Sequence, residues 1–144
     1  MRARYSYCEE LRGGEAEGSL FGILRNIHNE GVCTYIGYTA QDIFPAPDEK
    51  DYGMLDDEDE VRRHLENANK ILSKIGSIPE DEMDKLSWGE GVMGRSYYVT
   101  GAHMCRVIEE KAGKDILKQT LWDGPWAFSK TYNGLVPEKE KLIY

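Results

Sequence analysis

Leu20-Phe21-Gly22-Ile23-Leu24-Arg25-Asn26-Ile27-His28-Asn29-Glu30-Gly31-Val32-Cys33-Thr34-Tyr35-Ile36-Gly37-Tyr38 spaces its apolar residues for a helix. Leu20, Ile23, Leu24 and Ile27 recur at helical steps, and Tyr35 follows about two turns on, so one stripe of a helix over 20–38 is set to be buried. Glu30 stands three after Ile27, seven after Ile23 and four before Thr34, which puts a carboxylate on the flank of that stripe. A carboxylate taken out of water has to be paired, hydrogen-bonded or bound to metal. The positions it reaches on its own helix are Asn26, Ile27, Cys33 and Thr34, and none is cationic. Its partner therefore comes from elsewhere: Arg25, Arg95 or Arg106 as an ion pair, a backbone group, or a metal.

Working outward, Gly13 and Gly14 break the chain before this helix, and Glu15 and Glu17 suit its N-terminal dipole. Gly37 and Phe44-Pro45-Ala46-Pro47-Asp48 end it and open an acidic loop over 39–57. The carboxylates there do not follow the alternating pattern of a calcium loop and read as solvated. Val61, Leu65, Ala68, Leu72 and Ile75 form the apolar seam of a second long helix over 58–75, stopped by Gly76. A short helix over 79–86 and a flexible turn at Gly89-Glu90-Gly91 follow. A helix over 92–112 then carries Gly94, Tyr97, Tyr98, Gly101, Met104, Cys105 and Ile108 on one face. Gly113 caps it, 115–122 forms another short helix, and Gly124-Pro125 restarts the chain with proline at a first helical position. No strand alternation and no repeat is present. The reading is all-α: one domain over 1–144, an irregular bundle of about four to six helices, with an irregular segment over 1–14 and a charged, frayed tail over 137–144.

Composition narrows the function. A net charge of −8 argues against nucleic acid and anionic membrane surfaces, both of which need clustered Lys and Arg. The chain has three cysteines, Cys8, Cys33 and Cys105, without C-x-x-C spacing, which suggests reduced thiols and a cytoplasmic setting. Cys33 and Cys105 fall on or beside apolar stripes and read as small buried hydrophobes. No apolar run approaches the roughly 20 residues of a membrane span.

Two stretches carry a resemblance. The first is Ile27-His28-Asn29-Glu30-Gly31 with the residues to Tyr38; the second is Tyr97-Tyr98-Val99-Thr100-Gly101-Ala102-His103-Met104, followed by Ile108-Glu109, Gly113, Leu117, Asp123-Gly124-Pro125 and Tyr132-Asn133. In that order, over roughly residues 18–134, they resemble a family of zinc-dependent peptidases of unassigned function and gluzincin (zincin-like) type. The resemblance implies the fold of the C-terminal helical part of such an enzyme, with Glu30 as third zinc ligand and Tyr98 as a phenol that steadies the oxyanion of peptide hydrolysis.

The family's zinc helix carries H-E-x-x-H, two histidines one turn apart with a glutamate between them as base. This sequence has only His28, His64 and His103, no two of them four apart and none directly followed by Glu. One carboxylate does not hold catalytic zinc, which needs three protein ligands and an open position. The expectation is a C-terminal portion or remnant of a zincin-like metallopeptidase that binds no Zn2+ and hydrolyses nothing by itself. Two alternatives stand beside it: a subunit completed by a separate polypeptide bearing H-E-x-x-H, and a non-enzymatic helical interaction module.

Simpler readings apply to several residues. Tyr97 and Tyr98 also suit an aromatic core pair beside glycines. His103 reads as a half-exposed surface histidine, and His28 points half a turn away from Glu30. Trp122, Trp126, Phe128 and Tyr132 read as the closure of a helix corner at Gly124-Pro125. Phe21, Val32 and Ile36 form a second apolar edge on the first helix, which predicts a homodimer or a partner-bound state with its contact there.

Overall fold

The computed structural model describes residues 19–46 and 49–144. The irregular segment expected over 1–14, the Gly13-Gly14 break, Glu15, Glu17, Pro47 and Asp48 lie outside the described residues. Seven α-helices follow one another: α1 (Leu20–Thr39), α2 (Lys50–Leu55), α3 (Glu58–Ser73), α4 (Glu80–Leu86), α5 (Ser96–Ala112), α6 (Lys114–Asp123) and α7 (Pro125–Asn133). A π-helical stretch, Ser87–Met93, extends α4, and a 3-10 turn covers Glu138–Glu140. Among the described residues there is no strand, and the all-α reading holds.

The most extensive helix contact is between α1 and α5, with α3, α6 and α7 packed around them. Ser19 starts α1 by accepting a hydrogen bond from the Gly22 amide at 3.0 Å, and Asp57 caps α3 through the amides of Asp59 and Glu60. Ile23, Leu24 and Ile27 of α1 join Ala68, Ile71 and Leu72 of α3 and Met104, Cys105 and Ile108 of α5 in the main core. The α1–α5 crossing is made by two glycines. A Cβ on Gly101 would lie 2.0 Å from the Ile27 carbonyl oxygen and 2.6 Å from the Gly31 Cα. No side chain fits there, so the two backbones touch.

Several expectations need correction. Gly89-Glu90-Gly91 is not a flexible turn but part of the π-helix, where a Cβ on Gly91 would sit 2.2 Å from the Tyr97 ring. Tyr97 is fully buried, and its phenol is 2.6 Å from the Ser87 hydroxyl. The helix expected from 92 starts instead at Ser96, after Arg95 takes a left-handed conformation at φ +68°. The acidic loop folds in part: α2 lies within it, and Asp51, on that helix, is only 2% exposed. The tail is not frayed. Asn133 exchanges two 2.9 Å hydrogen bonds with the backbone of Leu142, and Asn69 takes Lys141 and Ile143 in the same way. Leu142 is buried as a result, its apolar side chain masked in sequence by charged neighbours.

The second apolar edge of α1 also reads differently. Phe21 is buried and its ring lies 6.3 Å from that of Trp126 on α7, Val32 packs against the main core, and Ile36 alone of the three is exposed. The element that covers Phe21 is α7. At the α6–α7 corner, formed by Gly124 at φ +98°, Phe128 and Tyr132 enter the core while Trp122 and Trp126 stay on the surface. Cys105 is buried as expected, but Cys33 is exposed.

Candidate metal and catalytic site

The helix positions of Glu30 and Tyr98 lie beside the point where α1 and α5 approach. Glu30 directly precedes Gly31, the glycine at the crossing, and Tyr98 lies three residues, close to one turn, before Gly101. Both are half-buried. The Tyr98 phenol is pushed above its ordinary range, first by burial and then by the charge and hydrogen bonding of the Glu30 carboxylate; the neighbouring Arg95 guanidinium opposes that shift. The Glu30 charge is felt by Tyr98, from outside its helix, and among the described residues Glu30 forms an ion pair with none of the arginines named from sequence.

Those arginines are used elsewhere. Arg95 places its guanidinium carbon 3.3 Å from the centre of the Tyr98 ring. Its Nε lies 3.0 and 3.1 Å from the two carboxylate oxygens of Asp51, and its terminal nitrogen makes a further contact with the same group. Arg106 donates to the Leu55 carbonyl at 2.9 Å and to Nδ1 of His103 at 3.3 Å. The ion pairs formed among the described residues do not include Glu30 or Arg25.

The three histidines are dispersed. His28 is 8% exposed, its ring 4.9 Å from that of Phe128, and neither ring nitrogen has a hydrogen-bond partner among the described residues. Burial lowers its pKa to about 4. His103 is brought to about 4 as well, by burial first and then by Arg106 and Lys111, and its half-buried ring stands edge-on to Tyr132. His64 is fully buried, with Nδ1 3.0 Å from the Ser96 hydroxyl, which also accepts from Asn67 at 2.7 Å. Burial first, and then the Arg63 charge, push the His64 pKa down, against the pull of Glu60 and Asp51. Although Ser96, His64 and Glu60 follow one another in space like a nucleophile, a base and an acid, Ser96 is 1% exposed and sealed from substrate. The cluster closes the core under the N-terminus of α5.

A zinc ion does not fit these residues alone. No group of three His, Cys, Asp or Glu able to hold a metal is assembled among the described residues. Glu30 offers one ligand, and the histidines are dispersed: His28 lies against the Phe128 ring, while His64 and His103 are bonded to Ser96 and Arg106. A cleft of about 730 Å3 opens beside α3, α5 and the 3-10 turn, lined by Leu55, Val61, Leu65, His103, Arg106 and Glu140 among others. Its lining includes neither Glu30 nor Tyr98.

Sequence reading missed Asp51 and misplaced Arg95. The two are 44 residues apart, and no spacing rule links them. The available signal was that one carboxylate in a surface run stood on the inner side of a short helix. No helix among the described residues is long and apolar enough to cross a membrane. A sequence model of the family described as "Putative zinc dependent peptidase (DUF5700)" matches residues 2–141. Comparison with curated proteins and with solved structures finds no match.

Proposed function

The chain belongs to that zinc-dependent peptidase family, and from this premise we propose that it supplies the glutamate side of a zincin-like peptidase site. Glu30 serves as the third zinc ligand and Tyr98 as the phenol that donates to the oxyanion, once an H-E-x-x-H segment from outside these 144 residues provides two histidines and the base. The observation that carries this reading is the backbone contact of Gly31 with Gly101, which brings the helix positions of Glu30 and Tyr98, the two residues the family resemblance singles out, to one crossing. By itself the chain binds Zn2+ weakly and cleaves no peptide, because one carboxylate does not make a catalytic metal site.

Completion by a partner polypeptide is favoured over an inert remnant by the surface beside Glu30. Asn29, Cys33 and Ile36 leave an exposed strip of α1 flanking the carboxylate, with Ile36 59% exposed. Ile43 and Phe44 follow just beyond the helix end, each 74% exposed. A second helix laid on that strip would cover the apolar residues and bring its ligands toward Glu30. A homodimer formed on the same strip is the other way to cover it.

Isothermal titration with Zn2+ tests the reading, first on the chain alone and then with an equimolar helical peptide carrying the H-E-x-x-H segment of a family member. The expected result is weak or no binding alone, and a single tight site in the mixture that Glu30→Ala abolishes. Sub-micromolar Zn2+ binding by the chain alone, lost in Glu30→Ala, overturns the need for completion. A tight mixed site indifferent to Glu30→Ala overturns its role as ligand.

A further inference from the structure

The cleft beside α3, α5 and the 3-10 turn is graded in exposure. Of the residues that line it, Val61, Leu65 and Val107 are buried, Arg106 and His103 are half-buried, and Glu58, Glu66 and Glu110 are exposed. Its volume of about 730 Å3 falls within the span of small-molecule sites, roughly 300–1,000 Å3.

Arg106 is a guanidinium without a carboxylate. It enters none of the ion pairs formed among the described residues, although Glu110 stands one turn on at i+4. Its hydrogen bonds go to neutral acceptors instead, the Leu55 carbonyl at 2.9 Å and Nδ1 of His103 at 3.3 Å, and the Tyr38 phenol lies near it as well. Holding α2 against α5 needs only the Leu55 bond. A guanidinium carries five N–H donors in a planar fork, and the acceptor that matches that fork is a carboxylate. The bond to His103 adds a further donor. Arginine has nothing to accept with, so Nδ1 is the acceptor and the ring proton sits on Nε2. That N–H has no acceptor among the hydrogen bonds of the described residues, and it belongs to the same cleft as Arg106.

Charge narrows what these donors can take. Carboxylates outnumber cations in the lining by five to three, which repels phosphate and other dianions. Glu58, Glu66 and Glu110 enter no ion pair among the described residues and stand ready for a cation. The matching ligand carries one carboxylate, one ammonium and an apolar body.

We propose that this cleft binds a small apolar zwitterion, a free amino acid or a dipeptide, with its carboxylate on Arg106 and the His103 Nε2–H, its side chains over Val61, Leu65 and Val107, and its ammonium toward the acidic rim. This goes beyond the metal reading and uses neither Glu30 nor Tyr98, so the two stand or fall separately.

NMR titration of the 15N-labelled full chain with the dipeptide leucyl-leucine tests it, with no metal present. The expected result is a saturable shift confined to amides around Val61, Leu65, His103 and Val107, with a Kd of about 1 mM or tighter. Leucyl-leucine amide, which lacks the carboxylate, is expected to bind at least about tenfold more weakly. N-acetyl-leucyl-leucine, which lacks the ammonium, loses about two- to fivefold, since the rim acids are exposed. Arg106→Gln weakens leucyl-leucine binding at least about tenfold, and inorganic phosphate leaves these amides unmoved. No saturable shift up to about 10 mM leucyl-leucine overturns the proposal, as does equal binding of the amide or phosphate binding as tight as the dipeptide's. Equal binding of the acetylated dipeptide overturns the zwitterion in favour of a plain carboxylate. A folded Arg106→Gln chain that binds like the unchanged one overturns the role of Arg106. Should that variant not fold, the ligand series on the unchanged chain decides.

Discussion

Replacing Gly101 by alanine adds one methyl group at the point where α1 and α5 touch, and the geometry says the helices have to part. The new Cβ would lie 2.0 Å from the Ile27 carbonyl oxygen, 2.6 Å from the Gly31 Cα and 3.1 Å from the Gly31 nitrogen, all backbone atoms with no rotamer to yield. Restoring ordinary contact moves the helices apart by more than about 1 Å, a shift felt by Ile23, Leu24, Ile27, Met104 and Ile108 in the close-packed core. Overpacking of this kind costs about 1–3 kcal/mol and more where backbone must move. Against it stands the intrinsic gain of alanine over glycine in a helix, about 1 kcal/mol. The net expectation is a loss of about 2 kcal/mol, or roughly 4–8 °C in Tm for a chain of this size. The paired control is Gly53→Ala in α2, where a Cβ meets nothing within 4 Å. That change is expected to stabilise by about 0.5–1 kcal/mol. Urea unfolding followed by far-UV circular dichroism measures both. Should Gly101→Ala prove as stable as the unchanged chain, or shift upward like Gly53→Ala, the close-contact reasoning is refuted. The same variant is expected to separate Glu30 from Tyr98, since both sit within one turn of the crossing.

Other outcomes follow from particular side chains. His28 has a folded pKa of about 4 against an ordinary 6.5, so between those values the unfolded chain takes up a proton that the native one excludes. Stability therefore falls as pH drops from about 6.5 to about 4, by about 1–3 kcal/mol from this residue, and His28→Phe flattens that slope; an unchanged acid-unfolding curve argues against it. Tyr97→Phe leaves the buried Ser87 hydroxyl without its phenol and is expected to cost about 1–2 kcal/mol in the urea assay. In a Cys8→Ser background, an aromatic disulfide reagent should modify exposed Cys33 in the native state. Cys105 should react only on unfolding, its thiol pushed up by burial and by Glu109. Two fast-reacting thiols would contradict the packing of α5.

The long helices were legible because their burial is periodic: the seam from Val61 to Leu72 and the stripe from Leu20 to Ile27 lie buried or partly buried as their spacing indicates. Glu30 was legible for the same reason, as a carboxylate off-phase with its own polar face. What escaped depended on contacts between distant residues. Asp51 looked like any other acid in a surface run, because only the fold brings Arg95 to it. The π-helix was hidden by its glycines, which in sequence signal a turn and in space make room for the Tyr97 ring. Leu142 gave one apolar residue among charges, too little for periodicity, and its burial depends on amides at Asn69 and Asn133.

That last clasp has a consequence for how the molecule is made. Asn69 sits on the outer side of α3 and waits for residues 141 and 143, 72 and 74 positions further on. As the chain is synthesised, α1 and α3 are complete long before residues 141–143 emerge, so the groove beside α3 stays unlined until those residues arrive. Closure of that groove is then a late, long-range step, and residues 141–143 act as its latch. Between the birth of α3 and the fastening of that latch, Leu65 and Leu72 face an incomplete wall, the interval in which the nascent protein is open to wrong associations.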